Sequence, residues 1–98
     1  MKNFIGQQVI IRADRAGVFF GTLESKEGQT VELSNCRKLF YWNGAAAVEQ
    51  IAVDGVSDPK NCKFTVVVDR MVIEGVCQTI PCTQKAIDSI NEVSVWKR

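Results

Sequence analysis

The chain has 98 residues, of which 46% are hydrophobic, and 12 basic against 11 acidic residues leave a formal net charge of +1. A length of about 100 residues predicts one domain, spanning 1–98. A charge so close to neutral disfavours a protein that coats nucleic acid, although a few converging basic groups still suffice for a small anionic ligand.

The first third of the chain shows the two-residue alternation of β-strands. It predicts a meander of three strands, at 8–14, 17–24 and 30–34. Gly21 lies inside the second strand, which indicates a bend or bulge where another backbone comes close. Val31 and Leu33 are expected to face inward in the third strand.

The period changes at Asn43. Val48, Ile51 and Ala52 follow at helical spacing after three alanines, and Gly55 suits a helix end. With Asn43 as the N-cap, the pattern predicts a helix over 44–53.

Two β-branched runs, 62–68 and 71–77, predict strands joined by a tight corner at 69–70. Ile80-Pro81 is expected to end the sheet and Thr83 to cap a second helix, with Ile87 and Ile90 inward. The alternating tail predicts either a final edge strand or docking of Trp96. The expected fold is mainly β (β-rich α+β): five to six antiparallel strands in a small barrel, with one inserted and one C-terminal helix.

The predicted strands resemble an Sm-like or SH3-like barrel. The resemblance rests on G-Q-Q-V-I-I (6–11), on G-x-x-x-G-T-L (17–23), on V-E-L-S-N (31–35) and on the closing pair 63–68 and 71–76. The helix at 44–53 departs from the family pattern, and the loop residues that hold uridine in Sm proteins have no recognisable counterpart. The resemblance therefore implies a fold and leaves the ligand open.

Two sequence segments are similar to small bacteriophage and prophage proteins of unknown function. They are I-I-R-A-D-R-A-G-V-F-F-G-T-L and Y-W-x-G-A-A. This resemblance implies a viral or prophage origin. By analogy with other short phage proteins, it suggests a role against host defence, such as an oligomeric sponge for a signalling nucleotide.

Chemistry of the familiar enzyme classes has little support. The chain has no His, no phosphate-binding loop and no nucleophile elbow. Its four cysteines form no C-x-x-C pair, so we expect reduced, mostly buried thiols, no metal and no cofactor. We expect a protein that is not an enzyme.

Segments for export or membrane insertion are not evident. No apolar run reaches the length of about 18 residues that crosses a membrane, and M-K-N-F-I-G-Q-Q lacks the apolar core of a secretory signal. We expect a cytoplasmic protein without membrane contact. Because a chain of this size buries only about 60–70% of its unfolded surface, we also expect a homo-oligomer.

The first candidate binding segment is R-A-D-R-A-G, with Arg12, Arg15 and Gly17 at a hairpin end. Guanidinium groups bind phosphate in a bidentate manner, and Gly17 lets a ligand approach the backbone. The alternative is that Asp14 pairs with one of the arginines and stiffens the turn.

The second candidate segment runs from Arg37 to Ala45. Its candidate ligand-binding residues are Arg37, Tyr41, Trp42, Asn43, Gly44 and Ala45. A capped helix start offers N–H groups to an anion, and an aromatic ring offers a face to a base. The alternative is that Phe40 and Trp42 belong to the core and that Asn43 is only a cap.

These features favour a phage-encoded small oligomeric protein that binds and sequesters a small anionic ligand, and the ligand we expect is a nucleotide immune signal. On this hypothesis Trp42→Ala weakens nucleotide binding more than folding. The alternatives are an inhibitor that docks on a host protein, and an Sm-like RNA-binding or structural phage protein.

Overall fold

The computed structural model describes residues 3–98 and is dominated by antiparallel strands. The strands are β1 (Gln8–Ala13), β2 (Gly17–Glu27), β3 (Thr30–Tyr41), β4 (Lys63–Phe64), β5 (Val68–Ile73) and β6 (Val76–Pro81). The helices are α1 (Val48–Asp54) and α2 (Gln84–Glu92), with a single 3₁₀ turn at Pro59–Asn61. The mainly β class with an inserted and a C-terminal helix is confirmed. None of the helices within 3–98 is long and apolar enough to cross a membrane.

The long strand β3 organises the sheet. It pairs with β2 along one side, and on its other side first with β5 and then with β4. The strand order is β4-β3-β2-β1-β6, with β5 beside β3. Within the described part of the chain, β5 pairs only with β3 and β6 only with β1, so these two strands are edges.

Each face of the sheet carries a hydrophobic cluster, because alternate strand residues point to opposite faces. Ile10, Phe20 and Leu39 pack with α1 and α2 on one face. Val9 and Ile11 belong to the cluster on the other face, together with the inward Val31 and Leu33 predicted from the sequence. The two helices therefore cover one side of the sheet.

Gly21 marks a close approach, as predicted. The pairing of β2 with β3 shifts register between Phe20 and Thr22. A Cβ atom placed on Gly21 would lie 2.6 Å from Cys36 Cβ. Only a residue without a side chain allows β3 to pass this point.

The predicted start of the first helix at residue 44 is wrong. Helix α1 begins at Val48, and its N-cap is Ala47, which makes no side-chain cap hydrogen bond. Gly44 has φ +90°, and its carbonyl accepts hydrogen bonds from the Ser57 N–H and hydroxyl, both at 3.1 Å. Since this backbone is not helical, Asn43 is not a cap. The predicted end is right: the Gly55 N–H donates to Ile51 O at 2.9 Å.

The predicted corner at residues 69–70 is also wrong. Asp69 and Arg70 lie in the middle of β5, and the chain breaks instead at Thr65–Val67, between β4 and β5. Thr65 is held there by its neighbours: its N–H donates to Lys38 O at 3.0 Å, and its hydroxyl accepts from Lys38 N at 2.9 Å. A tight turn does follow, but at Glu74-Gly75, between β5 and β6.

The C-terminal part agrees with the sequence. β6 ends at Pro81, and the Thr83 hydroxyl accepts a hydrogen bond from Ala86 N at 3.1 Å as the N-cap of α2. Ile90 is buried in the core, and Ile87 packs against it. Of the two alternatives for the tail, docking of Trp96 on β3 is the one observed; Val95 makes only an isolated parallel bridge to Phe64, and the tail forms no edge strand within residues 3–98.

Candidate functional site

Arg37 is a structural residue, which makes its assignment as a ligand-binding residue wrong. Only 3% of it is exposed. Its guanidinium donates to four backbone carbonyls, those of Phe64, Thr65, Ile90 and Val93, at 3.0–3.2 Å. Burial lowers the pKa of this group. Because four of its five N–H donors are engaged and the side chain is buried, Arg37 does not reach a ligand at the surface.

Trp42, Gly44 and Ala45 are half-buried, and the segment 42–45 does not form an open helix start. Trp42 and Ala45 lie against the helix-side cluster. A Cβ on Gly44 would lie 2.6 Å from the Asp58 backbone nitrogen. The Asn43 N–H donates to Cys62 Sγ at 3.4 Å. The proposed anion site at the N-terminus of the helix is therefore wrong.

The hairpin end with Arg12, Arg15 and Gly17 lies at the surface. Arg12 and Gly17 line a shallow depression of about 400 Å³ with Asp14 and Cys77. A Cβ on Gly17 would lie 3.0 Å from Cε of Lys38, so the hairpin end lies beside β3. Arg15 is exposed in the turn.

Arg12 already has an acidic neighbour. A hydrogen bond from Gln78 to Glu49 Oε2, 3.0 Å long, is the main cause that lowers the pKa of Glu49, and the charge of Arg12 adds a smaller effect. Asp14 lines the same depression as Arg12, so an anionic ligand at Arg12 would also meet a carboxylate. This makes Arg12 a weaker candidate than its sequence context suggests.

Tyr41 and Asn43 line a different depression, of about 430 Å³. The other residues around it are Lys60, Asn61, Cys62, Lys63 and Trp96. We call this set the aromatic–lysine groove. The two predicted segments thus contribute to separate depressions, one beside Arg12 and one beside Tyr41.

Trp96, which lines the groove, belongs to an aromatic stack with Phe40. Phe40 is 55% exposed, so its predicted place in the core is wrong. Its ring stacks on Trp96 with centroids 5.0 Å apart and planes 14° from parallel. Tyr41, the next residue, is 50% exposed. Strand β3 therefore ends in aromatic surface and not in buried side chains.

Cations surround these rings. The Lys63 ammonium lies 5.8 Å from the ring centroid of Tyr41 and 5.5 Å from that of Trp96. The Arg98 guanidinium carbon lies 6.0 Å from the Trp96 ring. Lys60 lines the same groove. Positive charge over aromatic faces, beside a polar depression, suits a ligand with a flat ring and a phosphate.

Sequence reasoning missed Lys60, Lys63 and Trp96 as site residues. Lys60 comes from the 3₁₀ turn after α1, Lys63 is the first residue of β4, and Trp96 comes from the tail. For Trp96 the sequence did carry a signal, since the alternation of the tail predicts either a final edge strand or docking of Trp96. The location of its partner Phe40 follows only from the tertiary fold. No group of three or more metal-ligating side chains occurs in residues 3–98.

The sheet topology defines an Sm-like fold. A heptameric archaeal Sm protein, solved for its implications for the eukaryotic snRNP core, is similar to this structure with a TM-score of 0.51. The two chains are 19% identical, and the match covers 83% of this chain and 93% of that one. The predicted Sm-like architecture is confirmed.

The family is defined more narrowly by sequence. The chain belongs to the family described as a domain of unknown function, DUF6948, whose family model matches residues 6–90. A comparison with curated proteins found no significant match.

Proposed function

We propose that this protein is a binding protein and not an enzyme, and that its subunits take up a nucleotide in the aromatic–lysine groove. One observation carries the proposal: the Phe40–Trp96 stack lies beside a polar groove, with the Lys63 ammonium 5.5 Å from the Trp96 ring. A nucleotide combines a stacking face with a negative charge, and this surface has a partner for each.

The groove divides the recognition between two kinds of group. Tyr41 and the exposed face of the stack offer a surface for a base, a contact worth about 1–3 kcal/mol per base. Lys60 and Lys63 offer ammonium groups to phosphate. Asn43 and Asn61, which line the same groove, supply amides that can read the edge of a base.

We further propose that the functional form is a homo-oligomer joined through its strand edges. The edges β5 and β6 have six residues each, and each pairs with a single strand within residues 3–98. When one edge of a subunit joins the other edge of the next subunit, the contact is head to tail, and such contacts generate a ring when the rotation closes. The similar Sm protein is heptameric, which is consistent with such a ring.

The biological role that fits this binding is sequestration. The similarity of the sequence to phage and prophage proteins supports a cytoplasmic sponge that captures a nucleotide immune signal and so counters host defence. A sponge needs tight binding and no turnover.

The test is calorimetry with the wild-type protein against AMP and cyclic di-AMP. We expect binding of at least one of them, and about tenfold weaker binding for Lys63→Gln, because one charge-assisted contact is lost. Lys85→Gln removes a lysine of α2 whose side chain is 73% exposed, and it serves as the matched control. The proposal would be contradicted if the wild type bound neither AMP nor cyclic di-AMP, or if the two substitutions weakened binding equally.

Single-stranded RNA is the second candidate ligand, and the Sm-like fold favours it. The basic residues support it as well, because Lys60, Lys63 and Arg98 gather at one site although the net charge is only +1. A gel shift with oligouridylate and oligoadenylate separates the two candidates. Binding that needs several linked nucleotides and weakens steeply with salt indicates RNA. Capture of a host protein without either ligand would indicate an inhibitor.

A further inference from the structure

Arg37 is a buried cation whose hydrogen-bond partners come from two separate parts of the chain. Its Nε donates to Thr65 O at 3.0 Å, and one terminal nitrogen donates to Phe64 O at 3.1 Å, both beside β4. The other terminal nitrogen donates to Ile90 O at 3.2 Å and Val93 O at 3.0 Å, at the end of α2. The side chain therefore ties the end of α2 to β4.

These contacts involve no carboxylate. The ion pairs of residues 3–98 are Arg70–Glu32 and Lys85–Asp54, and neither includes Arg37. The charge is balanced by carbonyl oxygens at the C-terminal end of a helix, where cations are favoured, and by the Phe64 ring 5.5 Å away. Burying a cation is costly unless it is well hydrogen-bonded, and the four bonds to carbonyl oxygens offset that cost here.

The hydrogen bonds of Arg37 lie next to those that hold Trp96 in position. Immediately after Val93 the tail runs beside β4, where Trp96 N donates to Phe64 O at 2.9 Å and Val95 bridges Phe64. The Trp96 ring then reaches Phe40. Phe64 O thus accepts from both Arg37 and Trp96, so the guanidinium and the tail share an anchor.

We propose that Arg37 is a positioning residue, which holds the tail so that Trp96 completes the aromatic–lysine groove. The proposal rests on the proposed function for its effect on ligand binding, while its effect on Trp96 is independent of any ligand. It reassigns an arginine that sequence reasoning took for a ligand contact: Arg37 acts on the ligand through Trp96 and without touching it.

The experiment compares wild type with Arg37→Lys, which keeps the charge but replaces the five-donor fork with a single ammonium. The indole N–H signals of Trp42 and Trp96 are followed by ¹H–¹⁵N NMR and assigned with Trp96→Phe. We expect the Trp96 signal to move toward that of an exposed indole and the Trp96 amide to lose exchange protection. The affinity for whichever of AMP and cyclic di-AMP binds the wild type should fall at least tenfold.

Ile10→Val is the matched control. It weakens the hydrophobic cluster on the helix side of the sheet, which includes Phe64 and Ile90, but the changed residue lies in β1 and not in the tail. A Trp96 shift in Arg37→Lys that is absent in Ile10→Val supports the positioning role, even where the wild type binds neither nucleotide and the proposed function fails. An unchanged Trp96 signal with unchanged affinity overturns it, as does an equal shift in both variants.

A second measurement covers an Arg37→Lys variant that does not fold. In the wild type, native-state hydrogen exchange of the Arg37 Nε–H and the Trp96 amide is compared over a urea series. Release of both protons in one opening event, with the same urea dependence, supports the proposal. Exchange of the Trp96 amide while the Arg37 proton stays protected overturns it.

Discussion

The two tryptophans allow binding and folding to be separated by single substitutions. Trp42 packs against the helix-side core, whereas Trp96 stacks on exposed Phe40 at the groove. We expect Trp96→Ala to weaken nucleotide binding by about 5- to 150-fold, from the loss of about 1–3 kcal/mol of stacking. The free energy of unfolding, measured in urea, should fall by only about 0.5–1.5 kcal/mol, the usual range for an aromatic pair.

Trp42→Ala should show the opposite balance, with a loss of about 2–4 kcal/mol in stability because it opens a gap in the core. Its remaining folded fraction should bind with little change. Trp96→Phe is the control, since it keeps a ring for the stack. A larger binding defect in Trp42→Ala than in Trp96→Ala, once corrected for the unfolded fraction, would restore the assignment made from the sequence.

The four cysteines should differ in reactivity. Cys36 and Cys62 are buried, and burial raises the pKa of Cys82 to about 12, so these thiols are poor nucleophiles at pH 8. Cys77 is exposed. In the folded protein we expect one thiol to react faster with iodoacetamide than the other three, and in guanidinium we expect all four to react, as counted by mass spectrometry. Rapid labelling that is retained in Cys77→Ser would contradict this order.

The start of helix α2 depends on Thr83. Its hydroxyl accepts from Ala86 N at 3.1 Å and donates to Val53 O at 2.6 Å, so one side chain caps α2 and links it to α1. We expect Thr83→Ala to lower the free energy of unfolding by about 1–2 kcal/mol, in the upper range for a lost cap. Thr83→Ser keeps the hydroxyl and should cost less than half as much in the same urea titration.

The elements differ in how far local sequence determines them. α2 was predictable because Thr83 and the spacing of Ile87 and Ile90 carry the signal within the element. α1 was misplaced because Gly44 is held at φ +90° by Ser57, a contact thirteen residues away that no local propensity reports. Likewise, the break after β4 has no turn residues and follows from the bonds of Thr65 to Lys38.

The candidate site shows the same limit across the complete fold. Tyr41 and Asn43 lie in the segment selected from the sequence, Tyr41 for its aromatic ring and Asn43 as the cap of a helix start that the structure does not form. Lys63 and Trp96 reach them only because β4 and the tail pair at Phe64. The net charge of +1 does not predict this site, because a sum over the chain does not show where its lysines lie in the fold.

Self-association should depend on the strand edges. Val72 in β5 is 65% exposed, and nearby Val66 and Val67 are also exposed, so this edge presents apolar side chains next to backbone that can pair. A depression of about 310 Å³ lies along the other edge, lined by Val76–Thr79 of β6 together with Phe4 and Lys26. An apolar edge facing an apolar depression is suited to head-to-tail pairing of copies.

Val72→Lys should therefore shift the protein from oligomer to monomer in sedimentation velocity, because a lysine on an edge strand opposes pairing with another strand. Val53→Lys is the control: Val53 is 55% exposed but lies on a helix and not on an edge strand. The same samples test the location of the contact, since Cys77 lies in β6. Its labelling should be slower in the oligomer than in the Val72→Lys monomer. Equal labelling rates in oligomer and monomer would place the contact elsewhere, and a wild type that sediments as a monomer would remove the ring.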